Sequence, residues 1–340
     1  MNFKRYFYIT LGIIATLLLF IAGTVVAVDP YQRYHKCDKF ISHQRLANPG
    51  IARHHDYDAI IMGSSMSMNH YPYQVDSLFG WNSINLSTEG SLDYDYCIQL
   101  PYIAMQKKAK HMIWEIDFFS FALPPTITSE LYLYDDKWWN DTPYWLSYTS
   151  CKWVINKLLN WEDLNSKENM YHFEAPLGKE ILAKYYTIDN YEKYIAQYDF
   201  DNMTRRFDSM LNFVMPTLED VQIYVYFPPY SILEFKMFEQ YNHWNQIIDF
   251  KRYMIERLLT YPNVRLYDFQ NEELICNLDE YMDLRHHSHA YNRRIVEYIH
   301  GDSCRVQEKS YQENLAILDS LVRNYTLDPT LWNPLNQTQN

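Results

Sequence analysis

The sequence has few basic residues and few glycines. Its formal net charge is −12, with 30 Lys and Arg against 42 Asp and Glu. Because nucleic-acid binding draws most of its affinity from clustered Lys and Arg, nucleic acid is not an expected partner. Only eight glycines are present, so each, including Gly63 and Gly90, is expected where a side chain cannot fit or φ must be positive.

The sequence also lacks paired cysteines. Its five cysteines are scattered without a C-x-x-C pair, at positions Cys37, Cys97, Cys151, Cys276 and Cys304. This pattern signals neither a zinc site nor a thioredoxin-like motif, and we expect no metal or cofactor. Outside the cytoplasm an odd number leaves at least one cysteine unpaired, and several are expected to be small buried apolar residues.

The composition is that of a folded chain without a linker. Hydrophobic residues make up 48% and aromatics 17% of the 340 residues, which is enough to bury a sizeable core. No internal repeat and no abrupt change of composition follows the first thirty residues. We therefore predict one body, residues 29–324, followed by a loose tail over residues 325–340.

The one long apolar run lies at the N-terminus. Residues 6–28 carry no charge, and as a helix they would be roughly 34 Å long, enough to span a hydrocarbon core of about 30 Å. Lys4 and Arg5 precede the run and Asp29 follows it. This predicts a cytoplasmic tail over residues 1–5, a transmembrane signal anchor over residues 6–28, and a body outside the cytoplasm.

A cleaved signal peptide is the alternative for this segment. Val25, Val26 and Ala27 offer the small residues that a signal peptidase requires. The apolar run is longer than the roughly 7–15 residues of a signal-peptide core, which favours the anchor.

Short apolar runs alternate with helical patterns through the body. A weak run at 81–84 reads as a further short strand, and the clearer strand predictions are residues 57–62, 111–116, 221–226 and 264–267. Helical spacing is seen in residues 247–259 and 295–299. This alternation predicts an α/β fold, a three-layer sandwich with a mostly parallel sheet of the flavodoxin-like kind.

A long stretch interrupts this alternation. Residues 119–215 are helical in pattern and dense in aromatics, which predicts a helical insertion lying over the sheet. Its aromatics include Trp138, Trp139, Tyr144, Trp145, Trp153 and Trp161. Such rings can stack on sugars, but most are expected to be buried in ordinary helix interfaces.

A serine follows the strand 57–62. Gly63-Ser64-Ser65 joins that strand to a predicted helix, and N–H groups at a helix start can hold an oxyanion beside a nucleophilic serine. By itself the motif is also compatible with simple turn and capping chemistry.

A histidine and an aspartate near the end could activate that serine. Asp283 and His286 are three residues apart, a spacing that can place the carboxylate where it orients the imidazole. The neighbouring His287 and His289 also suggest a metal site, but the spacing lacks the i,i+4 pair and acidic partner that such a site needs. Other histidines, at His35, His54, His55 and His70, have no such context and are expected in loops or on the surface.

A third element is the polar loop 85–91. Gly90 in this loop could present its backbone N–H to an oxyanion, since glycine permits close approach of a ligand to the backbone. A plain turn is the alternative.

These elements, in this order and with a late D-x-x-H, resemble the SGNH (GDSL-like) hydrolase superfamily. More narrowly they are similar to its bacterial membrane-anchored branch, which includes the D-alanine-transfer protein of teichoic acid synthesis and the alginate acetylation proteins. The resemblance implies Ser65 as nucleophile, His286 as base, Asp283 as its orienting carboxylate, and the N–H groups of Ser65 and Gly90 as oxyanion donors. Further similarity lies in residues 48–51, 115–119 and 227–231.

The third block departs from the superfamily pattern. Full members carry an Asn there as an oxyanion donor, whereas this sequence reads Trp114-Glu115-Ile116-Asp117-Phe118. An ionised Asp117 would repel an oxyanion, so either another donor replaces the Asn, or Asp117 is protonated or turned away.

The resemblance implies an O-acyltransferase or esterase in the bacterial cell membrane, acting outside the cytoplasm on a cell-surface glycan or glycopolymer through an acyl-serine. A transferase of this build would need a multi-spanning membrane partner, since one helix cannot carry a charged thioester across the bilayer. Two alternatives stay open, a catalytically inactive polysaccharide-binding or scaffolding module and a plain secreted esterase.

Overall fold

The computed structural model describes residues 3–124, 130–159 and 173–329. These residues form two compact units. The N-terminal unit comprises residues 3–55 and 130–159, and the sheet unit comprises residues 56–124 and 173–329. The sequence predicted one body over residues 29–324, and the structure places parts of that range in each unit.

The sheet unit contains a five-stranded, entirely parallel sheet, which confirms the predicted α/β class. Its strands are β1 (Ala59–Met62), β2 (Ser83–Asn85), β3 (His111–Glu115), β4 (Gln222–Phe227) and β5 (Val264–Asp268). Each of the five strands lies at a predicted position. The residues of β1 to β4 are buried almost throughout, as expected for parallel strands covered on both faces. In the edge strand β5, three of the five residues are half-buried or exposed.

The strand order is β2-β1-β3-β4-β5. This is a doubly wound order, in which the chain leaves β1 toward one edge of the sheet and then crosses back to the other side. In such sheets the loops that follow the two strands at the reversal diverge and leave a crevice at their carboxyl ends. Here those strands are β1 and β3, so the segments that follow Met62 and Glu115 border the crevice.

Each of the two units contains helices. The N-terminal unit holds α1 (Phe3–Val28), α2 (Gln44–His54), α7 (Thr142–Leu146) and α8 (Tyr148–Leu159). The sheet unit holds α3 (Ser65–Met68), α4 (Pro72–Phe79), α5 (Asp93–Met105), α6 (Phe119–Ala122), α9 (Lys179–Tyr185), α10 (Ile188–Ile195), α11 (Met203–Val214), α12 (Ile232–Gln240), α13 (Trp244–Leu258), α14 (Glu272–Ile275), α15 (His289–His300) and α16 (Tyr311–Asn324). Both helices predicted near the C-terminal strands are present, as α13 and α15.

The N-terminal helix α1 is long and apolar enough to cross a membrane. Val25 is its one buried residue among those described, where α7 and α8 pack against it. Immediately after the helix, the Asp29 carboxylate accepts hydrogen bonds from the backbone N–H groups of Arg33, Tyr34 and His35 and from the Tyr144 hydroxyl. The chain that leaves α1 is therefore folded back at once.

A buried arginine holds the two sequence segments of the N-terminal unit together. Arg33 forms an ion pair with Asp141, whose side chain is also buried, at 3.0 Å. It also donates to the backbone carbonyls of Leu133 and Asp135. A buried charge is tolerated only when it is paired and hydrogen-bonded, so residues 29–55 and 130–159 depend on each other.

The predicted insertion, residues 119–215, consists of helices and turns where it is described. Its residues 130–159 belong to the N-terminal unit, while α6 and α9 to α11 belong to the sheet unit. Tyr144 and Trp153 are buried, as expected for most aromatics of this stretch, but Trp138 and Trp139 are each 64% exposed. Trp161 lies outside the described residues, as do residues 330–340 of the predicted tail, which follows the end of α16 at Asn324.

Two histidines that were expected in loops or on the surface, His55 and His70, lie in loops, but both are buried. His70 is 1% exposed and its Nε2 lies 2.7 Å from the Tyr226 hydroxyl. His55 is buried in the N-terminal unit, with its Nε2 2.8 Å from the Gln32 side-chain oxygen. Burial lowers the pKa of His70 to about 3, because a charged imidazole would lose its hydration there.

This burial makes the sheet unit sensitive to acid. His70 stays neutral in the folded chain down to a pKa of about 3, whereas the unfolded chain takes up a proton near the ordinary value of about 6.5. Between these values the unfolded state binds more protons, so stability falls as the pH falls, by at most about 1.4 kcal/mol per pH unit for this one histidine.

We expect His70→Gln to reduce the fall in the urea unfolding midpoint between about pH 7 and about pH 5. His300→Gln, at an exposed histidine of the same unit, is the matched control and should keep the wild-type pH dependence. The same pH dependence in both variants would contradict the assignment to His70.

Candidate active site

The turn after β1 is shaped by a glycine. Gly63 has φ +152°, and a Cβ on it would lie 2.6 Å from Glu115 Oε2 and 2.5 Å from Ser67 Oγ. Any side chain at this position would therefore collide with the Glu115 carboxyl group. Glycine lets the turn approach the end of β3 closely, and α3 begins two residues later at Ser65.

The Glu115 carboxyl group at the end of β3 is hydrogen-bonded to this turn. Its Oε2 accepts a hydrogen bond from the Ser64 backbone N–H at 2.6 Å and from the Ser64 hydroxyl at 2.8 Å. Burial, together with the negative charge of Asp117, raises the pKa of Glu115 well above its ordinary value. The raised pKa favours the neutral carboxylic acid, which accepts from Ser64 without requiring a counter-ion.

Three predicted residues meet in one hydrogen-bonded chain. Ser65 Oγ lies 2.8 Å from His286 Nε2, and His286 Nδ1 lies 2.7 Å from Asp283 Oδ2. A carboxylate at Nδ1 favours the tautomer with its proton there and leaves Nε2 to accept from the serine hydroxyl. This is the arrangement in which an imidazole takes the proton of an attacking serine.

The Asp283 carboxylate is held in its ionised form. Burial by itself would raise the pKa of Asp283, but hydrogen bonds and attraction from His286, with the backbone N–H groups of His286 and Arg285, outweigh burial and lower it to about 2. Those N–H groups donate to Asp283 Oδ1 at 2.7 and 2.8 Å. A fixed negative charge beside the imidazole stabilises the imidazolium that proton uptake would form.

The neighbouring histidines have other surroundings. His287 is 2% exposed, and burial lowers its pKa to about 3. His289 begins α15, and its ring lies 5.6 Å from the ring of Tyr71. Within the described ranges no group of three or more His, Cys, Asp or Glu side chains is placed to hold a metal ion.

The loop with Gly90 is attached to the serine turn. The Thr88 N–H donates to the Gly63 carbonyl at 3.0 Å, and the Ser91 N–H donates to the Thr88 carbonyl at 3.1 Å. Gly90 has φ +60°, and a Cβ there would meet no atom within 4 Å. Backbone conformation rather than space thus selects glycine here, and the role of its N–H as an oxyanion donor stays a prediction.

Asp117 is occupied by protein donors. Its Oδ1 accepts from the Ser120 N–H at 2.9 Å and from the Ser120 hydroxyl at 3.2 Å, and its Oδ2 accepts from the Tyr230 hydroxyl at 2.6 Å. Both oxygens therefore help to hold the segment after β3. Of the alternatives raised by the sequence, this bonding fits an Asp117 side chain that is turned away, toward its donors Ser120 and Tyr230.

Two further groups that sequence reasoning missed support the site. Asn85 Nδ2 donates to the carbonyls of Ser67, Met68 and His70 at 3.0, 3.2 and 3.0 Å, so it ties the end of β2 to α3. Glu115 was noted only as part of a family-like run. The available signal was a polar residue at the end of an otherwise apolar buried strand, which a parallel sheet normally disfavours.

The loop that carries the acid and base is also anchored by polar contacts. Arg285 pairs with the buried Glu234 of α12, with Nε and Nη2 at 2.8 and 2.7 Å from Oε1, and Nη2 donates to the Tyr198 hydroxyl at 2.9 Å. Ser231 donates to the Leu284 carbonyl through its backbone N–H at 3.0 Å and its hydroxyl at 2.7 Å. These bonds fix residues 283–286 against the segment that follows β4.

A cavity of about 180 Å³ borders Asp283 and His286. Its other lining residues are Tyr185, Ile195, Glu234, Met237, Leu284 and Arg285. The cavity thus combines apolar side chains with the Arg285–Glu234 ion pair beside the base.

No model of a known protein family matches this chain, and no curated protein sequence matches it. The local geometry therefore carries the functional argument.

The geometry predicts which histidine acts as the base. We expect His286→Gln to abolish labelling of Ser65 by a fluorophosphonate probe, because Gln cannot take up the serine proton. His289→Gln should retain labelling. His287→Gln should retain it in the folded fraction, measured by gel filtration, since this residue is buried. Equal loss in all three folded variants would contradict the assignment.

A second prediction tests whether the Glu115 carboxyl group is neutral or ionised at neutral pH. Glu115→Gln keeps an acceptor for Ser64 and adds no charge, so we expect nearly wild-type stability and serine labelling. Glu115→Ala leaves the buried Ser64 N–H and hydroxyl without their acceptor, at a cost of roughly 1–3 kcal/mol for each unsatisfied group. Urea unfolding at neutral pH measures both variants, and a Gln variant as unstable as the Ala variant would show that the carboxyl group is ionised.

Proposed function

We propose that this chain is a serine-dependent acyl-transferring enzyme of the SGNH-like kind, an O-acyltransferase or esterase. The observation that carries the proposal is the hydrogen-bonded chain from Ser65 Oγ through His286 to Asp283. Ser65 Oγ attacks an acyl carbonyl while His286 Nε2 takes the hydroxyl proton. The imidazolium returns that proton to the leaving group, and an acyl-Ser65 ester remains.

The second half of the reaction reverses these steps. An acceptor hydroxyl loses its proton to His286 as it attacks the acyl-Ser65 carbonyl, and the proton then passes to Ser65 Oγ as the ester breaks. With a sugar hydroxyl as acceptor the result is O-acylation, and with water it is hydrolysis. The N–H groups of Ser65 and Gly90 are the proposed donors to the oxyanion.

The position of the serine in the fold supports this proposal. A three-layer SGNH-like arrangement would place the nucleophile at the carboxyl end of β1, beside the reversal of the doubly wound sheet. Ser65 begins α3 directly after the turn that follows β1, and crevices at that position are where such sheets bind ligands.

The proposed site for the transferred group is the cavity beside Asp283 and His286, although Ser65 is not one of its lining residues. At about 180 Å³ it is smaller than the roughly 300–1,000 Å³ of pockets that enclose drug-sized ligands. It suits a short acyl group rather than a long chain. The proposed acceptor is a cell-surface glycan or glycopolymer, which would remain outside the cavity.

The proposed location is the bacterial cell membrane, with residues 1–5 in the cytoplasm, α1 as a single-pass anchor, and the residues that follow α1 outside the cytoplasm. The uncharged run over residues 6–28, with Lys4 and Arg5 before it, supports this orientation. Acyl-CoA is cytosolic, so a transferase in this position needs a multi-spanning membrane partner to deliver the acyl group.

Replacing the serine tests the proposal directly. Ser65→Ala removes the nucleophile, so we expect O-acylation of the surface glycan to fall to the level of a strain that lacks the protein. Ser77→Ala, at an exposed serine of α4, is the matched control and should keep wild-type acylation. Ester release by mild base, followed by quantification of the released acid, measures the effect.

The other outcomes distinguish the alternatives. A rise in glycan acylation in Ser65→Ala would identify a deacylating esterase. Unchanged acylation, with glycan binding retained, would overturn the catalytic proposal in favour of an inactive binding or scaffolding module.

A further inference from the structure

The end of α1 is attached to a second helix of the N-terminal unit. Lys157, in the last turn of α8, donates through Nζ to the carbonyl of Val28 at 3.1 Å and of Asp29 at 3.5 Å. Both α7 and α8 pack against α1, at the part of α1 where Val25 is buried. The last turn of α8 therefore lies at the same level as the end of α1.

The length of α1 locates this level relative to a bilayer. The uncharged segment from Tyr6 to Val28 is roughly 34 Å long as a helix, against about 30 Å for a hydrocarbon core. If α1 spans the membrane, Val28 lies at or just beyond the hydrocarbon edge. Lys157 then lies in the headgroup region, which tolerates a lysine, and its Nζ also donates to Cys37 Sγ at 3.1 Å.

The surface of α8 is unusual for a helix of a water-soluble protein. Its buried positions are Ser150, Trp153, Val154 and Asn156, so two of the four are polar. Its exposed residues include the apolar Tyr148, Ile155, Leu158 and Leu159. An amphipathic helix in water exposes its polar face, so this outward apolar face indicates a non-aqueous neighbour.

A pair of exposed tryptophans adds to this surface. Trp138 and Trp139 lie in a short 3-10 turn just before α7, and each is 64% exposed. Tryptophan is enriched where membrane meets water, because its ring is apolar and its N–H can bond to water or headgroups. Since α7 packs against α1, this pair also belongs to the part of the chain close to the end of α1.

We propose that the exposed face of α8 and the Trp138–Trp139 pair form a bilayer-contact surface that rests on the outer headgroup region beside α1. The occupant is lipid rather than a protein partner, because Lys157 of α8 and Tyr144 of α7 attach these helices to the end of α1 and so place the exposed apolar residues beside the helix proposed to span the bilayer. Interfacial helices of this kind bury their apolar face in the boundary between headgroups and acyl chains.

This inference rests on the proposed membrane anchoring by α1 and is independent of the chemistry proposed for Ser65. Its test places a photoreactive benzophenone amino acid, one position at a time, at Trp139 and Leu158 of the full chain in isolated cell membranes. Leu17 of α1, 56% exposed, serves as the positive control for lipid contact. Phe213 of the sheet unit, 57% exposed against 61% for Leu158, sets the background for a surface position of equal exposure.

We expect lipid adducts at Trp139 and Leu158, identified by mass, in yields near that of Leu17 and several-fold above that of Phe213. Adducts at Leu17 but only background yields at Trp139 and Leu158 would overturn this inference and leave the anchoring intact. A background yield at Leu17 as well would overturn the anchoring itself. Adducts to another protein in place of lipid would assign the surface to a membrane-protein partner.

A second measurement does not depend on the photoreactive residue. In nanodiscs of phosphatidylcholine brominated near the headgroup end of the acyl chains, Trp138→Phe with Trp139→Phe should lower the quenched fraction of the fluorescence. Trp81→Phe, at a half-buried tryptophan of the sheet unit, should not. An unchanged quenched fraction in the double variant would count against lipid contact at this pair.

Discussion

The turn that carries Ser65 is held by one buried carboxyl group, that of Glu115. Burial raises the pKa of this group well above its ordinary value, which favours the neutral form; that form accepts two hydrogen bonds from Ser64 and avoids the desolvation cost of an ionised carboxylate. The Glu115 carboxyl group lies so close to Gly63 that a side chain at residue 63 would have no space. The direction of the Ser65 hydroxyl, and so its contact with His286, depends on this packing of the end of β3 under the turn after β1.

The acid and base are fixed by a different set of polar groups. The N–H groups and the imidazole around Asp283 lower its pKa and so keep it ionised. Arg285 in the same loop forms an ion pair with Glu234. A buried pair of this kind adds little net stability but specifies one arrangement of the loop, since either partner alone would be a costly buried charge. The nucleophile and its base are thus positioned independently and meet at the reversal of the sheet.

The sequence predicted the sheet well because parallel strands buried on both faces are short apolar runs that stand out from helical patterns. Asp283 and His286 were also predictable, since their interaction is local. Their contact with Ser65 joins residues 221 positions apart, and it followed from the parallel topology and the family-like order of motifs. The roles of Glu115 and Asn85 were not predictable, because nothing in one sequence shows which polar side chain lies under which turn. The same holds for His70, and for residues 130–159, whose partners in residues 29–55 are distant in the chain and are not marked by composition.

The N-terminal unit is built from two segments that the ribosome makes at different times. Arg33 is made 108 residues before Asp141, its buried ion-pair partner. At a synthesis rate of about 5–20 residues per second, the guanidinium remains without this partner for roughly 5–20 s after its own residue has been added. The first three strands of the sheet are synthesised within that interval, but β4 and β5 follow only after residue 159, so all described residues of the N-terminal unit are made before the sheet can be completed.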